Sequence, residues 1–316
     1  MSRIILVTGG AGNVGGSLVR ELVKNPDNFV VVVDNLSTGD LNKMPDKQYQ
    51  NWRFIKADTN DFNELSAIMT SFRFDYVFHY SAVVGVKRTL ANPIKVLHDI
   101  EGIKNMLSLA KNTGVKRTFF SSSSEVYGEP YEIPQNEETT PLNARLPYAI
   151  VKQTGECFIR SYYREYGLDY TIFRFFNTYG PLQSNDFVVP KFVNSALKGE
   201  DIPIYGKGEQ TRTFCYIDDN IETTIKILNE GSFRNDVINV GSDFEISILE
   251  LAELVIEKTG SSSKVIHLPA LKEGDMTRRR PDNTKMKSLL NRPLVSVEEG
   301  IQKMIDFHRN RMTMNV

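Results

Sequence analysis

Tyr148 and Lys152 stand four residues apart on a stretch opened by Pro147, a good first helical residue. At that spacing the two side chains share one helix face. An ammonium beside a phenol lowers the phenol's pKa towards the working range, so Tyr148 is suited to exchange a proton with a substrate hydroxyl. Lys152 has a second use, a hydrogen bond to a cofactor ribose. Taken alone, the pair is as well explained by an exposed helix face. Its meaning depends on what precedes it.

What precedes it is a phosphate cradle. Residues 4–7 read as a short buried strand that runs into Thr8-Gly9-Gly10-Ala11-Gly12-Asn13-Val14-Gly15. Val14, Leu18, Leu22 and Val23 then recur at helical spacing. Such a turn leaves backbone N–H groups bare at a helix N-terminus, where a pyrophosphate binds. Gly9 and Gly12 allow the turn and the close approach, and Gly15 lets the helix pack on the strand. Asp34 closes the next strand, residues 29–33, about 20 residues past the glycines, where a carboxylate accepts hydrogen bonds from the adenosine ribose. The following Asn35-Leu36-Ser37-Thr38-Gly39 has no Arg or Lys for a 2′-phosphate, so the cofactor read here is NAD rather than NADP.

The remaining elements must carry these groups to one place. A third strand is predicted over residues 52–56, ending at Ala57-Asp58-Thr59. Asp58 there either meets the adenine amino group or caps the helix holding Leu65, Ile68 and Met69. A fourth strand, residues 74–79, leads into Tyr80-Ser81-Ala82, where small residues let a dinucleotide lie close. His79 reads as a hydrogen-bonded core histidine. One helix is predicted over residues 94–111, with Ile94, Leu97, Ile100, Ile103, Met106, Leu107 and Ala110 as its stripe. A fifth strand, residues 115–120, runs into Ser121-Ser122-Ser123-Ser124-Glu125-Val126-Tyr127-Gly128, and a sixth covers residues 170–175. Strands alternating with helices imply an α/β fold: a Rossmann-type doubly wound parallel sheet, with ligands beyond the strands' carboxyl ends.

Near Asn177 the pattern changes to frequent turns, with helices expected over residues 187–197, 217–229, 247–258 and 297–310. The division this suggests is a dinucleotide-binding domain over 1–176. A smaller C-terminal α/β substrate-binding domain would take 177–316, its elements free to interleave with the first. For 316 residues that is a natural size. A net charge of −1 argues against nucleic-acid or membrane-surface binding. Cys157 and Cys215 are too few for a disulfide framework, and no metal-ligand spacing is present. No apolar stretch is long enough to span a bilayer, and a core strand begins within a few residues of the N-terminus. The expected compartment is the cytoplasm.

Taken together, these motifs resemble the extended short-chain dehydrogenase/reductase family, specifically its nucleotide-sugar epimerases, dehydratases and decarboxylases. The resemblance covers almost the whole chain. Beyond the segments above it rests on Arg174-Phe175-Phe176-Asn177-Thr178-Tyr179-Gly180-Pro181 and Tyr205-Gly206-Lys207-Gly208-Glu209-Gln210-Thr211-Arg212. It implies an enzyme with tightly held NAD and a nucleotide-diphosphate sugar as substrate. Tyr148, assisted by Ser123, would take the proton of the sugar's 4-hydroxyl while NAD takes hydride from C4. The implied cofactor contacts are Gly9, Gly12, Asn13, Val14, Gly15, Asp34, Asn35, Ser37, Thr38, Asp58, Thr59, Ser81, Ala82, Ser121, Tyr148, Lys152 and Phe175. Ser123, Ser124, Asn177, Val189, Tyr205, Arg212 and Arg279 are the implied substrate contacts, with Asn177 and Arg212 on the diphosphate and Arg279 matching the family's late phosphate-binding arginine. Arg279 lies in Thr277-Arg278-Arg279-Arg280-Pro281-Asp282, a run that would otherwise read as solvated surface. A homodimer is implied through the helices beginning near Ile94 and Pro147, with Tyr162, Tyr163 and Tyr166 at its seam.

Three positions depart from the common pattern: Asn13 replaces a bulky apolar residue, Asp99 replaces an Asn, and Glu125 replaces a small or hydroxyl residue. Ser124-Glu125 with Arg279 looks closest to uronic-acid decarboxylases, while Pro147-Tyr148-Ala149-Ile150-Val151-Lys152 reads like an epimerase segment. A 4-epimerase is the expected activity. The alternatives are a decarboxylase using Glu125 and Arg279, a dehydratase, or a net 4-dehydrogenase. A silent NAD-binding protein on the same fold is the reading from another class. Intact Tyr148, Lys152 and Ser123 argue against it.

Overall fold

Val30, Val31, Val32 and Val33 are all fully buried, as a strand must be when helices cover both faces of its sheet. They belong to a computed structural model that describes residues 3–269 and 278–314. Its first part alternates β1 (Arg3–Thr8), α1 (Asn13–Leu22), β2 (Asn28–Asp34), β3 (Trp52–Lys56), α2 (Phe62–Ser71) and β4 (Tyr76–His79). There follow α3 (Val86–Ala91), α4 (Pro93–Leu97), α5 (Asp99–Thr113), β5 (Arg117–Ser123), α6 (Pro147–Tyr166) and β6 (Asp169–Phe175). Beyond these come β7 (Thr178–Tyr179), α7 (Val188–Leu197), β8 (Ile202–Tyr205), β9 (Thr211–Thr213), β10 (Cys215–Tyr216) and α8 (Ile217–Glu230). The chain then forms β11 (Asp236–Val240), β12 (Glu245–Ser247), α9 (Ile248–Thr259), β13 (Val265–Leu268), α10 (Thr284–Leu290) and α11 (Val297–Met314).

Seven strands make one sheet in the order β11-β6-β5-β4-β1-β2-β3, every pairing parallel. This is the doubly wound fold read from the sequence. Its strand order reverses between β1 and β4, and the crevice outside their carboxyl ends is where ligands bind in such sheets. One face carries Leu18, Leu22, Ile221 and Leu228 from α1 and α8. The other carries Leu65, Ile68, Ile103, Met106 and Val151 from α2, α5 and α6. The seventh strand, β11, was not read from the sequence. It brings residues from beyond Asn177 back beside β6.

Three local expectations need correction. The helix expected over 94–111 is two helices meeting at His98, with Asp99 opening the second. The Asp99 carboxylate accepts from Val83 N at 2.7 Å, a tie to the neighbouring loop that fixes the start of α5. Asp58 does not cap α2. Asp61 does, accepting from Asn63 N and Glu64 N. The fifth strand also runs three residues further than expected, through Ser123, because Ser121, Ser122 and Ser123 stay in register with Phe173, Arg174 and Phe175 of β6. Among the described residues, no helix is long and apolar enough to cross a membrane.

Candidate active site

The crevice begins with two glycines that tolerate no side chain. Gly9 has φ +67°, and a Cβ there would lie 2.6 Å from Ser81 N. A Cβ on Gly15 would lie 2.3 Å from Gly9 O. Gly12 caps α1 with no side-chain hydrogen bond, and the first turn has no acidic residue, so the helix's positive end is left for a ligand. Asn13 Oδ1 is buried there without a hydrogen-bond partner.

Asp34 ends β2 and accepts from Ala11 N at 3.0 Å and Leu36 N at 2.8 Å, which fixes its carboxylate against the glycine loop. Asn35 donates to Asp58 Oδ2 at 3.1 Å, joining the ends of β2 and β3, and its Oδ1 accepts from Ser37 N at 2.9 Å. Thr38 is exposed on the same turn, whereas Thr59 is buried beside Gly102. Ser81 and Ala82 are half-buried where the loop after β4 crosses Gly9. Asp99 staples this loop through Val83 N and reaches Asn60 Nδ2 at 3.5 Å. A glycine cradle, a bare helix N-terminus and a carboxylate at the end of β2 fit a dinucleotide.

The reacting end lies where β5 meets α6. Pro147 opens α6 at its first position, as the sequence suggests. Lys152, 2 % exposed, donates to Ser121 Oγ at 3.3 Å and lies 5.7 Å from the centre of the Tyr148 ring. Burial pushes its ammonium down to about 8, against the pull of Asp99. Ser123 is hydrogen-bonded to Tyr148 and accepts from Glu125 N at 3.2 Å. The sequence led us to expect a lowered phenol pKa at Tyr148, and the structure reverses this. Burial, then the Glu125 carboxylate, push it well above its ordinary value, and the Ser123 hydrogen bond opposes them only in part. Burial and Glu125 hold Tyr148 as a phenol at neutral pH. His79 is a buried core residue, as read, with Nδ1 2.9 Å from Thr8 Oγ1.

Beneath these residues runs a buried polar chain that the sequence reading missed. Arg174 forks onto Glu156, with Nε to Oε1 at 2.9 Å and Nη2 to Oε2 at 2.7 Å. Ser122 Oγ donates to the same carboxylate at 2.6 Å. Arg174 Nη1 also donates to the Tyr127 hydroxyl at 2.8 Å, which donates to Asn239 Oδ1 at 2.8 Å. The signal was present: an Arg within the apolar run of β6 needs a buried anion, and Glu156 is one helical turn beyond Lys152. This chain fixes β5, α6 and β6 relative to one another at the level of Ser123 and Lys152.

The far wall carries most of the residues read as substrate contacts. Arg279 is 6 % exposed, with Nη1 3.4 Å from Ser124 Oγ and 3.7 Å from Glu125 Oε1. Asn177, at φ 36°, donates to Thr213 O at 2.9 Å. Arg212 lies on β9 and donates to Thr211 O at 2.7 Å. Tyr205 ends β8 under the Lys87 ammonium, 5.6 Å from the ring centre, and a hydrogen bond from Lys87 lowers its phenol pKa. Phe175 meets Tyr80 edge to face at 5.7 Å. Val189 sits with its side chain in the core. Thr277, the first residue of the arginine run, lies outside the described residues.

Comparison with known proteins agrees with this geometry. The sequence pattern of the NAD dependent epimerase/dehydratase family matches residues 5–241. The chain is 36% identical to a UDP-N-acetyl-alpha-D-glucosaminuronate decarboxylase of Bacillus cytotoxicus over 98% of both chains. It is 32% identical to a putative UDP-glucose 4-epimerase of Methanocaldococcus jannaschii, over 97% of this chain and 99% of the other. Among solved structures, the UDP-glucose 4-epimerase of Thermotoga maritima with UDP-glucose superposes with TM-score 0.91 at 33% identity, covering 98% of this chain and 99% of that one. The chain belongs to the NAD dependent epimerase/dehydratase family and is an enzyme with NAD as its cofactor.

Proposed function

We propose that the protein oxidises a nucleotide-diphosphate uronic acid at C4 and decarboxylates it. The observation that carries this reading is Arg279, buried beside Ser124 and 3.7 Å from Glu125, next to the Tyr148–Ser123 pair. A desolvated guanidinium calls for an anion. A substrate carboxylate placed beside this guanidinium would be held by a charge-assisted hydrogen bond. The sugar of a UDP-hexose offers only hydroxyls, whereas that of a uronic acid brings a second anion besides the diphosphate. The likeness to the Bacillus decarboxylase supports the same reading.

The chemistry follows from the groups present. Tyr148, hydrogen-bonded to Ser123, exchanges the proton of the 4-hydroxyl, and Lys152 holds the cofactor ribose. When bound, NAD would supply the hydride acceptor for C4 and a positive charge against the Glu125 carboxylate that helps keep Tyr148 protonated. The new 4-ketone is β to the C6 carboxylate. The C5–C6 bond breaks, carbon dioxide leaves, and its electron pair passes to an enolate at C4 oxygen. A proton from water then adds at C5, the C4 ketone takes back the hydride, and Tyr148 returns its proton to the 4-oxygen. Gly9 to Gly15, Asp34 and Asp58 would hold the dinucleotide, while Asn177 and Arg212 would hold the substrate diphosphate. Arg279 and Ser124 hold its acidic end.

The second reading is 4-epimerisation, the activity expected from the sequence. The Pro147-Tyr148-Ala149-Ile150-Val151-Lys152 segment and the likeness to two 4-epimerases favour it. Mass spectrometry separates the two. The purified protein, without added cofactor, is given UDP-glucuronic acid, UDP-N-acetylglucosaminuronic acid and the matching UDP-hexoses. Loss of carbon dioxide is expected; an isomer at unchanged mass would establish the epimerase instead. We also infer a homodimer closing over the exposed Ile94, Leu97, Ile150, Tyr163 and Tyr166 of α4 and α6, which light scattering would read. Free Cys157 and Cys215 fit a reducing compartment such as the cytoplasm.

A further inference from the structure

The three consecutive arginines before Pro281 do not share a direction. Arg279 turns inward, 6 % exposed, to Ser124 and Glu125. Its neighbours turn to a single carboxylate. Arg278 donates Nε and Nη2 to the two oxygens of Glu245, each at 2.7 Å, and Arg280 Nη1 lies 3.8 Å from Glu245 Oε1. The Arg278 fork is the strong, orienting form of this interaction. Thr211 Oγ1 adds a hydrogen bond to Glu245 Oε2 at 3.2 Å. Hydrogen bonding by Arg278 holds the Glu245 carboxyl below its usual range, as a charged pair requires.

Glu245 also stands at a junction. It opens β12, which pairs antiparallel with β9 so that Glu245 faces Thr213 and Ile246 faces Arg212. The same side chain therefore touches the strap carrying Arg279 and the strand carrying Arg212. On its other side the strap is fixed by backbone: Gln135 N donates to Arg280 O, and Asp282 N to Gln135 O, both at 2.8 Å. Successive side chains of an extended segment alternate in direction. Pinning the outer two to one carboxylate faces the middle one the opposite way.

We propose that Glu245 is a positioning residue of the substrate site, holding Arg278 and Arg280 outside so that Arg279 points in at a set distance from Arg212. The proposal rests on the reading above only in taking Arg279 and Arg212 as the groups that grip an anionic nucleotide sugar. It makes the strap's closure and the substrate's affinity two consequences of one carboxylate.

The test uses the full chain with Glu245→Gln, Arg278→Gln and the double variant. Trypsin cuts after Arg278 and Arg279, while Pro281 protects the bond after Arg280. In Glu245→Gln, cleavage at those two bonds is expected to quicken about tenfold, since local opening governs access. Equilibrium titration with UDP-glucuronic acid and with UDP should show about tenfold weaker binding, with kcat changed by about twofold or less. The double variant should be no worse than Glu245→Gln alone, because that substitution already removes the Arg278 contact. Unchanged cleavage would overturn the proposal, as would an opened strap that leaves binding intact. If the parent protein binds these ligands but turns none over, the decarboxylase reading fails, and the binding and cleavage arms still judge Glu245. Arg278→Gln carries the test should Glu245→Gln not fold.

Discussion

The Arg279 guanidinium lies 3.7 Å from the Glu125 carboxylate, one supplied by a late loop and the other by the turn after β5. Neither element could close this site alone. Arg279→Ala should therefore leave bound NAD unchanged and lower kcat/KM on UDP-glucuronic acid about 100-fold, the cost of stranding a buried charge partner. Steady-state kinetics beside a cofactor release assay would check both halves.

Tyr148→Phe removes the hydroxyl that meets Ser123 while keeping the ring beside Lys152. Turnover should fall about 1000-fold or more, within the range for a lost acid–base group, at unchanged NAD content. Activity near that of the parent protein would exclude Tyr148 as the proton-transfer residue.

Asp99→Asn should move the whole pH profile towards acid. The Asp99 carboxylate raises the pKa of Lys152 by attraction and that of Tyr148 by repulsion, so neutralising it lowers both. The other titratable groups facing the pair are the neutral His79 from β4, Glu125 after β5 and Arg279 from its strap, with Asp58 after β3 facing Asp99 itself, and these stay in place. Both limbs of the kcat profile are expected to move to lower pH, the basic limb falling below the value near 8 held by Lys152. Because Asn keeps an acceptor for Val83 N, a profile that drops in height without moving would assign Asp99 a structural part only.

Glu156→Ala should cost about 3–5 kcal/mol of stability, because it leaves the fully buried Arg174 guanidinium without its anion. Thermal unfolding would register this as a large drop in Tm. Loss of activity with an unchanged Tm would contradict the role given to this pair.

The buried His79 imidazole makes the fold acid-sensitive. Burial pushes its pKa from 6.5 down to about 3, so at intermediate pH the unfolded chain binds a proton that the folded chain does not. Its stabilising contribution is complete above about 6.5 and is lost progressively as pH falls towards 3. Denaturant midpoints measured down from neutral pH should decline faster for the parent than for His79→Asn.

Much of this was legible in the chain because it is local. The strand, glycine turn and helix around Gly9–Gly15, with Asp34 at the end of the next strand, are set by periodicity and turn chemistry within about 30 residues. Tyr148 and Lys152 are visible because helical spacing shows which residues share a face. What was not legible depends on packing between distant segments. Tyr148 has its pKa raised rather than lowered because burial and Glu125 outweigh the Ser123 hydrogen bond and Arg279, and burial cannot be read from spacing. Nor does spacing reveal that Asp236–Val240 returns to edge the sheet, or that Glu245 meets Arg278.

The most direct test of the account is the fate of a deuterium placed at C4 of UDP-glucuronic acid. The purified protein should give a product that has lost carbon dioxide and kept the deuterium, and enzyme quenched in acid during turnover should carry deuterium on its reduced NAD, because the hydride leaves C4 and returns from the same bound cofactor. A product of unchanged carbon content, or one that has lost carbon dioxide without C4 ever being oxidised, would contradict it.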